Sequence, residues 1–191
     1  MPSSEVPAVA GSEAASTILT WKRVISVVLG AAVVALSAQV AVPLPGNPVP
    51  ITLQGLAVLL VGGCLGARAG AAALVLYLLL GSAGLPVFAP TGVPGIARLL
   101  GPTGGYLLAF PLAAALAGAI ARPHHLARCF VAALVGMIVI HIGGIAQLSI
   151  ITGGLSLPIR ATASLVVVDL VKVAIAGLLI AKLRARIHSP T

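Results

Sequence analysis

Residues 21–42, WKRVISVVLGAAVVALSAQVAV, carry two charges at their start and then none for nineteen positions. A helix crossing a bilayer needs about 20 predominantly apolar residues, and this stretch supplies them. It stops at residues 43–50, PLPGNPVP, where four prolines fall within eight residues. Each proline lacks a backbone N–H and clashes with the preceding turn, so no helix continues through. The same reading extends to the whole chain. Of its 191 residues, 60% are hydrophobic and 7% charged, with a mean hydropathy of +1.19. A soluble chain carries about 25% charged residues because its surface meets water. This chain has nothing to meet water with, so its outward surface faces lipid.

Further apolar runs follow the first. Residues 51–65 break at Gly66-Ala67-Arg68, and a third run extends from Ala69 to about Gly81. Both are short, which suits a tilted or partly spanning helix. A fourth run covers residues 104–121 and ends at Arg122-Pro123-His124-His125. The fifth covers 129–151 and closes at Gly153-Gly154. The sixth covers 161–183, before a basic end with Arg184, Arg186 and His188. The expected fold is therefore an all-α integral membrane protein of six transmembrane helices. Residues 1–20, polar and acidic through Glu5 and Glu13, are expected to form a flexible cytoplasmic tail. Residues 21–191 then form one six-helix membrane domain, the length leaving no reserve for a second.

The 22 glycines and many alanines suit close helix packing, since small residues let backbones approach in a membrane. The net charge of +8 reads as membrane orientation rather than nucleic-acid binding. With the N-terminus inside, Lys22, Arg23, Arg68, Arg122, Arg128, Lys182, Arg184 and Arg186 are cytoplasmic, while Arg98 and Arg160 are outside. That bias places both termini in the cytoplasm. Cys64 and Cys129 sit in or beside apolar segments with no metal-ligand spacing, so no cofactor or metal is expected.

Between the third and fourth runs lies a connection of 22 residues, 82–103, rich in glycine and proline yet apolar. Loops of that length without secondary structure are functional or disordered. The apolar side chains argue for a re-entrant or lid-like segment folded over the outer face.

Asp169 is the only acidic residue after Glu13, and Lys172 follows three positions later, about one turn along the same helical face. A charge at the bilayer centre costs roughly 2.5–3.5 kcal/mol on the mildest scale, so a buried pair calls for a reason. It is an internal ion pair, a polar ligand site or part of a proton relay. Arg98, alone among apolar residues of the lid-like segment, is an interface anchor or an anion clamp. Tyr106 follows the turn 101–105 as an amphipathic plug. Thr52, Gln54 and Gln147 can each hydrogen-bond a ligand or a neighbouring helix. His141, alone in the fifth run, reads as a helix contact. Ala31 and Ala35, with Ala38 beyond, form a small-residue stripe that is either internal packing or a docking face for another membrane subunit. No Gly-Lys-Ser/Thr phosphate loop and no paired-carboxylate or Ser-His arrangement is present, which argues against an ATPase or another enzyme.

Residues 48–54 (PVPITLQ), 84–89 (GLPVFA), 100–107 (LGPTGGYL) and the Asp169-x-x-Lys172 pair, in that order, resemble the BioY family. This is the biotin-binding substrate subunit of energy-coupling-factor ABC transporters. The resemblance covers nearly the whole chain after Trp21. It implies a six-helix membrane fold that captures biotin from outside, with a transmembrane coupling subunit and two ATPases powering import. It also implies ligand-binding roles for Asp169, Lys172, Arg98 and Tyr106, and a docking role for Ala31 and Ala35. Residues 161–164 depart from the Pro-Gly approach expected before the aspartate. The chemistry is compatible: a ureido ring offers two N–H donors and one carbonyl acceptor, suiting Asp169 and Lys172, and a carboxylate suits Arg98. The alternatives are a subunit for another vitamin-like solute and a solitary biotin transporter. A membrane-embedded enzyme or pore lacks the titratable partner or polar row it would need.

Overall fold

The computed structural model describes residues 9–187, so residues 1–8 of the expected tail, and residues 188–191 with His188, lie outside the described residues. Among the described residues there are eight helices and one minimal hairpin. Helix α1, Val9–Ala38, begins inside the segment read as a tail and runs unbroken to the proline-rich stretch. Strands β1, Ala41–Val42, and β2, Ile51–Thr52, pair antiparallel and pin the 43–50 connection between them. Helix α2, Gln54–Leu65, ends at Gly66, whose φ of 86° suits only glycine, and α3, Ala67–Ser82, starts at once. The short α4 is Ala97–Leu100, and α5 is Gly104–Ile120. Helix α6, Leu126–Thr152, ends at left-handed Gly153. Helices α7, Ser156–Ala163, and α8, Val166–Ile187, complete the chain.

Helix α5 packs most extensively against α6 and also meets α2 and α3; α8 lies against α6 and α2, and α1 against α3 and α2. Small residues set these approaches. A Cβ on Gly62 of α2 would strike the backbone of Ala114 in α5, and one on Gly105 of α5 would strike the backbone of Gly143 in α6. Fully buried Val34, Leu59, Leu74, Tyr77, Leu148 and Ile180 come from five different helices. Outward positions are as apolar as the core, Leu36 being 72% and Ile150 83% exposed, as expected of a multi-pass membrane protein whose solvent is lipid.

By length and composition, Thr20–Ala38 and Leu126–Thr152 can each cross a bilayer, and the bent pair Ser156–Ala163 and Val166–Arg186 qualifies as a third span. Helices α2, α3 and α5 are apolar but shorter.

Two local expectations change. The sixth run is not one helix: α7 and α8 meet at 52°. No proline or glycine makes that bend. Asn47 Nδ2 donates to Ala161 O at 3.1 Å and to Ser164 Oγ at 2.8 Å, while Ser164 Oγ donates back to Ala161 O at 2.8 Å. Side chains thus satisfy the carbonyl that an unbroken helix would have used. The 82–103 connection also holds structure of its own, since α4 carries Arg98. Phe88, Ala89 and Arg98 are buried, whereas Leu85, Val93, Ile96 and Leu100 remain exposed.

The alanine stripe on α1 turns mostly inward. Ala31 is 2% exposed, Ala38 is fully buried and Ala35 packs partly buried against the same core. Ala31 and Ala38 thus pack within this chain, while Ala35 keeps part of its surface outward.

Candidate ligand-binding site

The bend at residues 164–165 puts Asp169 in the first turn of α8, where the helix dipole favours a carboxylate by about 0.3–1 kcal/mol. Asp169 and Lys172 are both buried, 7% and 8% exposed. Lys172 Nζ lies 2.6 Å from Asp169 Oδ1, and His141 Nε2 lies 3.2 Å from Asp169 Oδ2. Both carboxylate oxygens are thus engaged, each with lone pairs to spare. The His141 ring sits edge-on to Tyr106, with centroids 6.2 Å apart. Tyr106 Oη in turn shares a 3.0 Å hydrogen bond with Thr162 Oγ1 of α7.

Asp169, Lys172, His141 and Tyr106 line a cavity enclosed by α2, α5, α6 and α8. Its apolar walls include Ile51, Leu107, Phe110, Met137, Ile140 and Leu165, and Ala89, Arg98 and Thr103 come from the connection above. Gln54 lines it from α2 and donates through Nε2 to Tyr77 Oη at 2.6 Å. Tyr77 is fully buried, edge-on to Phe88 at 5.4 Å and stacked with Phe110 at 6.5 Å. The combination of apolar walls and a few convergent polar groups is that of a small-molecule site.

Arg98 lines the same cavity, 6% exposed, and its Nη1 donates to the Thr91 carbonyl. Its Nε is buried without a hydrogen-bond partner. The chain's only acidic residues are Glu5, Glu13 and Asp169, and Arg98 forms no ion pair among the described residues. The chamber therefore holds two cations, Lys172 and Arg98, and one carboxylate. A ligand bringing one negative charge to Arg98 balances it.

The structure thus brings Asp169, Lys172, Arg98, Tyr106 and Gln54 to one cavity, along with Thr52. It places Gln147 elsewhere: Gln147 Nε2 donates to Leu99 O at 2.7 Å and Gly101 O at 3.0 Å, fastening one end of the connection to α6. Gln39 fastens the other end, donating to Phe88 O at 3.3 Å and Pro86 O at 3.4 Å. Sequence reasoning missed His141 as a site residue, together with Tyr77 and Thr162. A signal existed for two of them. The chain has one tryptophan, two tyrosines and three phenylalanines; Tyr106 and Phe110 line this cavity, with Tyr77 packed against Phe110 and Phe88 against Tyr77. His141 shares a helical face with Met137, four positions earlier, and both line the site.

Comparison with known proteins gives consistent results. Residues 12–189 match the BioY family. The chain is 37% identical over 166 residues to a probable biotin transporter BioY from Pyrococcus horikoshii, covering 85% of this chain and 96% of that one. It is 32% identical over 171 residues to the biotin transporter BioY of Rhizobium etli, covering 84% and 91% respectively. Its fold is similar to the crystal structure of the S-component for biotin from an ECF-type ABC transporter. That similarity has a TM-score of 0.79 at 25% identity, covering 87% of this chain and 92% of the other.

Proposed function

The chain belongs to the BioY family, and from that membership and the buried chamber we propose that it captures biotin and delivers it across the cytoplasmic membrane. It is a transport protein and not an enzyme. Asp169 accepts from a ureido N–H, while Lys172 pairs with the aspartate and donates to the ureido carbonyl. His141 fixes the second carboxylate oxygen. Gln54 and Tyr106 border the rings, and the apolar walls take the thiophane ring and valeryl chain. Arg98 clamps the ligand carboxylate through its planar fork. The observation that carries this reading is the charge count: a buried guanidinium with no acidic partner beside a balanced Asp169–Lys172 pair. Biotin, with one carboxylate and one neutral polar ring, matches both ends.

We read α1, α2, α3, α5, α6 and the bent α7–α8 pair as six spans, with both termini cytoplasmic. The 12 residues of α2 extend only about 18 Å, against roughly 30 Å of hydrocarbon. Its central place among other helices and its hairpin approach support it as a partial span. The 82–103 connection is then a lid over the outer mouth, held by Gln39 and Gln147. Eight basic residues on the inner segments against Arg98 and Arg160 outside support the orientation. In a variant lacking Cys64 and Cys129, Val93→Cys should react with an impermeant thiol reagent from outside, and His125→Cys only after the membrane is opened. The opposite pattern would reverse the topology.

The chain has no nucleotide-binding loop, so energy for uptake comes from partners: a transmembrane coupling subunit and ATPases. Cells unable to make biotin, expressing this chain with such a module, should accumulate labelled biotin. Removing the ATPases should abolish accumulation while binding persists. Undiminished uptake without any coupling ATPase would instead make this a solitary transporter.

A further inference from the structure

A second, larger cavity lies outside the chamber, between the 43–50 connection and the 91–103 segment. Pro43, Asn47 and Pro48 wall one side, and Thr91, Val93 and Pro102 the other. The two cavities adjoin, and Pro50, Arg98 and Thr103 line both. Arg98 stands at the threshold and is the only charged side chain on the outer wall. Two buried polar atoms there lack partners, Arg98 Nε and Thr91 Oγ1. Thr91 lines only the outer cavity.

This layout bears on what the ligand may carry beyond its carboxyl group. The carboxyl of biotin lies at the end of the molecule remote from the ureido ring. With the ring at Asp169 and the carboxyl at Arg98, a group joined to that carboxyl projects into the outer cavity instead of against a wall. An amide keeps the carbonyl acceptor that Arg98 serves and adds an N–H donor. It loses only the negative charge.

We infer that this chain also binds carboxyl-linked biotin amides, biotinyl-lysine foremost, with the bicyclic ring in the chamber and the appended amino acid in the outer cavity. The inference rests on the biotin reading and extends it to a ligand class that proteolysis of biotin-carrying proteins releases. A free acid binds more tightly, because an ionised acceptor makes a stronger hydrogen bond with a guanidinium than a neutral one does. The difference is about tenfold, the usual gap between charge-assisted and neutral bonds.

The test is displacement of labelled biotin from the purified full-length chain by unlabelled biotin, biotinamide and biotinyl-lysine. Biotinyl-lysine is expected to displace the label at about ten times the concentration biotin needs. Val93→Trp and Pro43→Trp, which fill the outer cavity from opposite walls, should melt as the parent does and keep its affinity for biotin. Each should weaken biotinyl-lysine by a further factor of about ten or more. Absence of displacement by biotinyl-lysine at about a thousandfold excess over the biotin requirement overturns the inference, and this arm needs no variant. Filled variants that bind both ligands as the parent does, or lose both equally, also overturn it. If labelled biotin itself does not bind, the underlying biotin reading fails, which the biotin-only control reveals separately.

Discussion

Asp169→Asn is expected to weaken biotin binding by about a hundredfold and to lower the melting temperature as well, the largest combined effect of any single change in the chamber. Asp169 accepts from Lys172 at 2.6 Å and from His141 at 3.2 Å, and all three line the cavity. Removing one member of a buried ion pair strands the other, which costs about 3–5 kcal/mol of folding stability because the remaining charge stays desolvated. Here the stranded group is Lys172, 8% exposed, with Arg98 as a further unbalanced cation on the same cavity. The ligand loses in addition the acceptor for its ureido N–H, and an asparagine retains only one oxygen for that role. Equilibrium binding of labelled biotin to the purified variant checks the size of the loss. Thermal melting of the same sample measures how much of it comes from weakened folding.

Arg98→Gln should cost less, about ten- to a hundredfold in biotin affinity, corresponding to roughly 1.5–3 kcal/mol for hydrogen bonds to a charged group. The arginine also holds the Thr91 carbonyl, so lost affinity alone would not separate a clamp from a brace for the connection. The methyl ester of biotin does separate them. A clamp that reads the carboxylate makes the parent prefer acid to ester, and Arg98→Gln erases that preference by weakening acid binding far more than ester binding. A brace makes both ligands fall together. Arg98→Lys should recover charge but not the bidentate fork, leaving an intermediate preference for the acid.

Much of this site was legible in the chain because charge is conspicuous in an apolar sequence. Asp169, Lys172 and Arg98 could be singled out from the energetic cost of burying each, and the proline-rich 43–50 stretch fixed where the first long helix ends. The contacts that escaped the sequence are those between distant segments. The bend before Asp169 has no local breaker; its cause is Asn47, 117 positions from Ser164. His141 looked solitary because its partner lies on α8. Gln54 stood out as a polar candidate, but its partner Tyr77 lies 23 positions away and carries no charge that would draw notice. The alanine stripe on α1 was ambiguous for a different reason. Small residues at that spacing serve equally for packing within a chain and docking between chains, and the structure shows the packing of Ala31 and Ala38. The connection 82–103 was read as irregular, yet its one helical turn, Ala97–Leu100, is what carries Arg98 to the chamber mouth.

The central claim is that Asp169 and Lys172 read the ligand and do not merely tie α8 to its neighbours. The most direct test is an equilibrium titration of labelled biotin against the full-length double variant Asp169→Asn with Lys172→Met. Removing both charges together relieves the stranded-ion penalty, so the double variant should melt near the parent temperature. A ligand-reading pair predicts that this well-folded protein still fails to bind biotin in the range where the parent saturates. A double variant that folds normally and binds biotin as tightly as the parent would contradict the account.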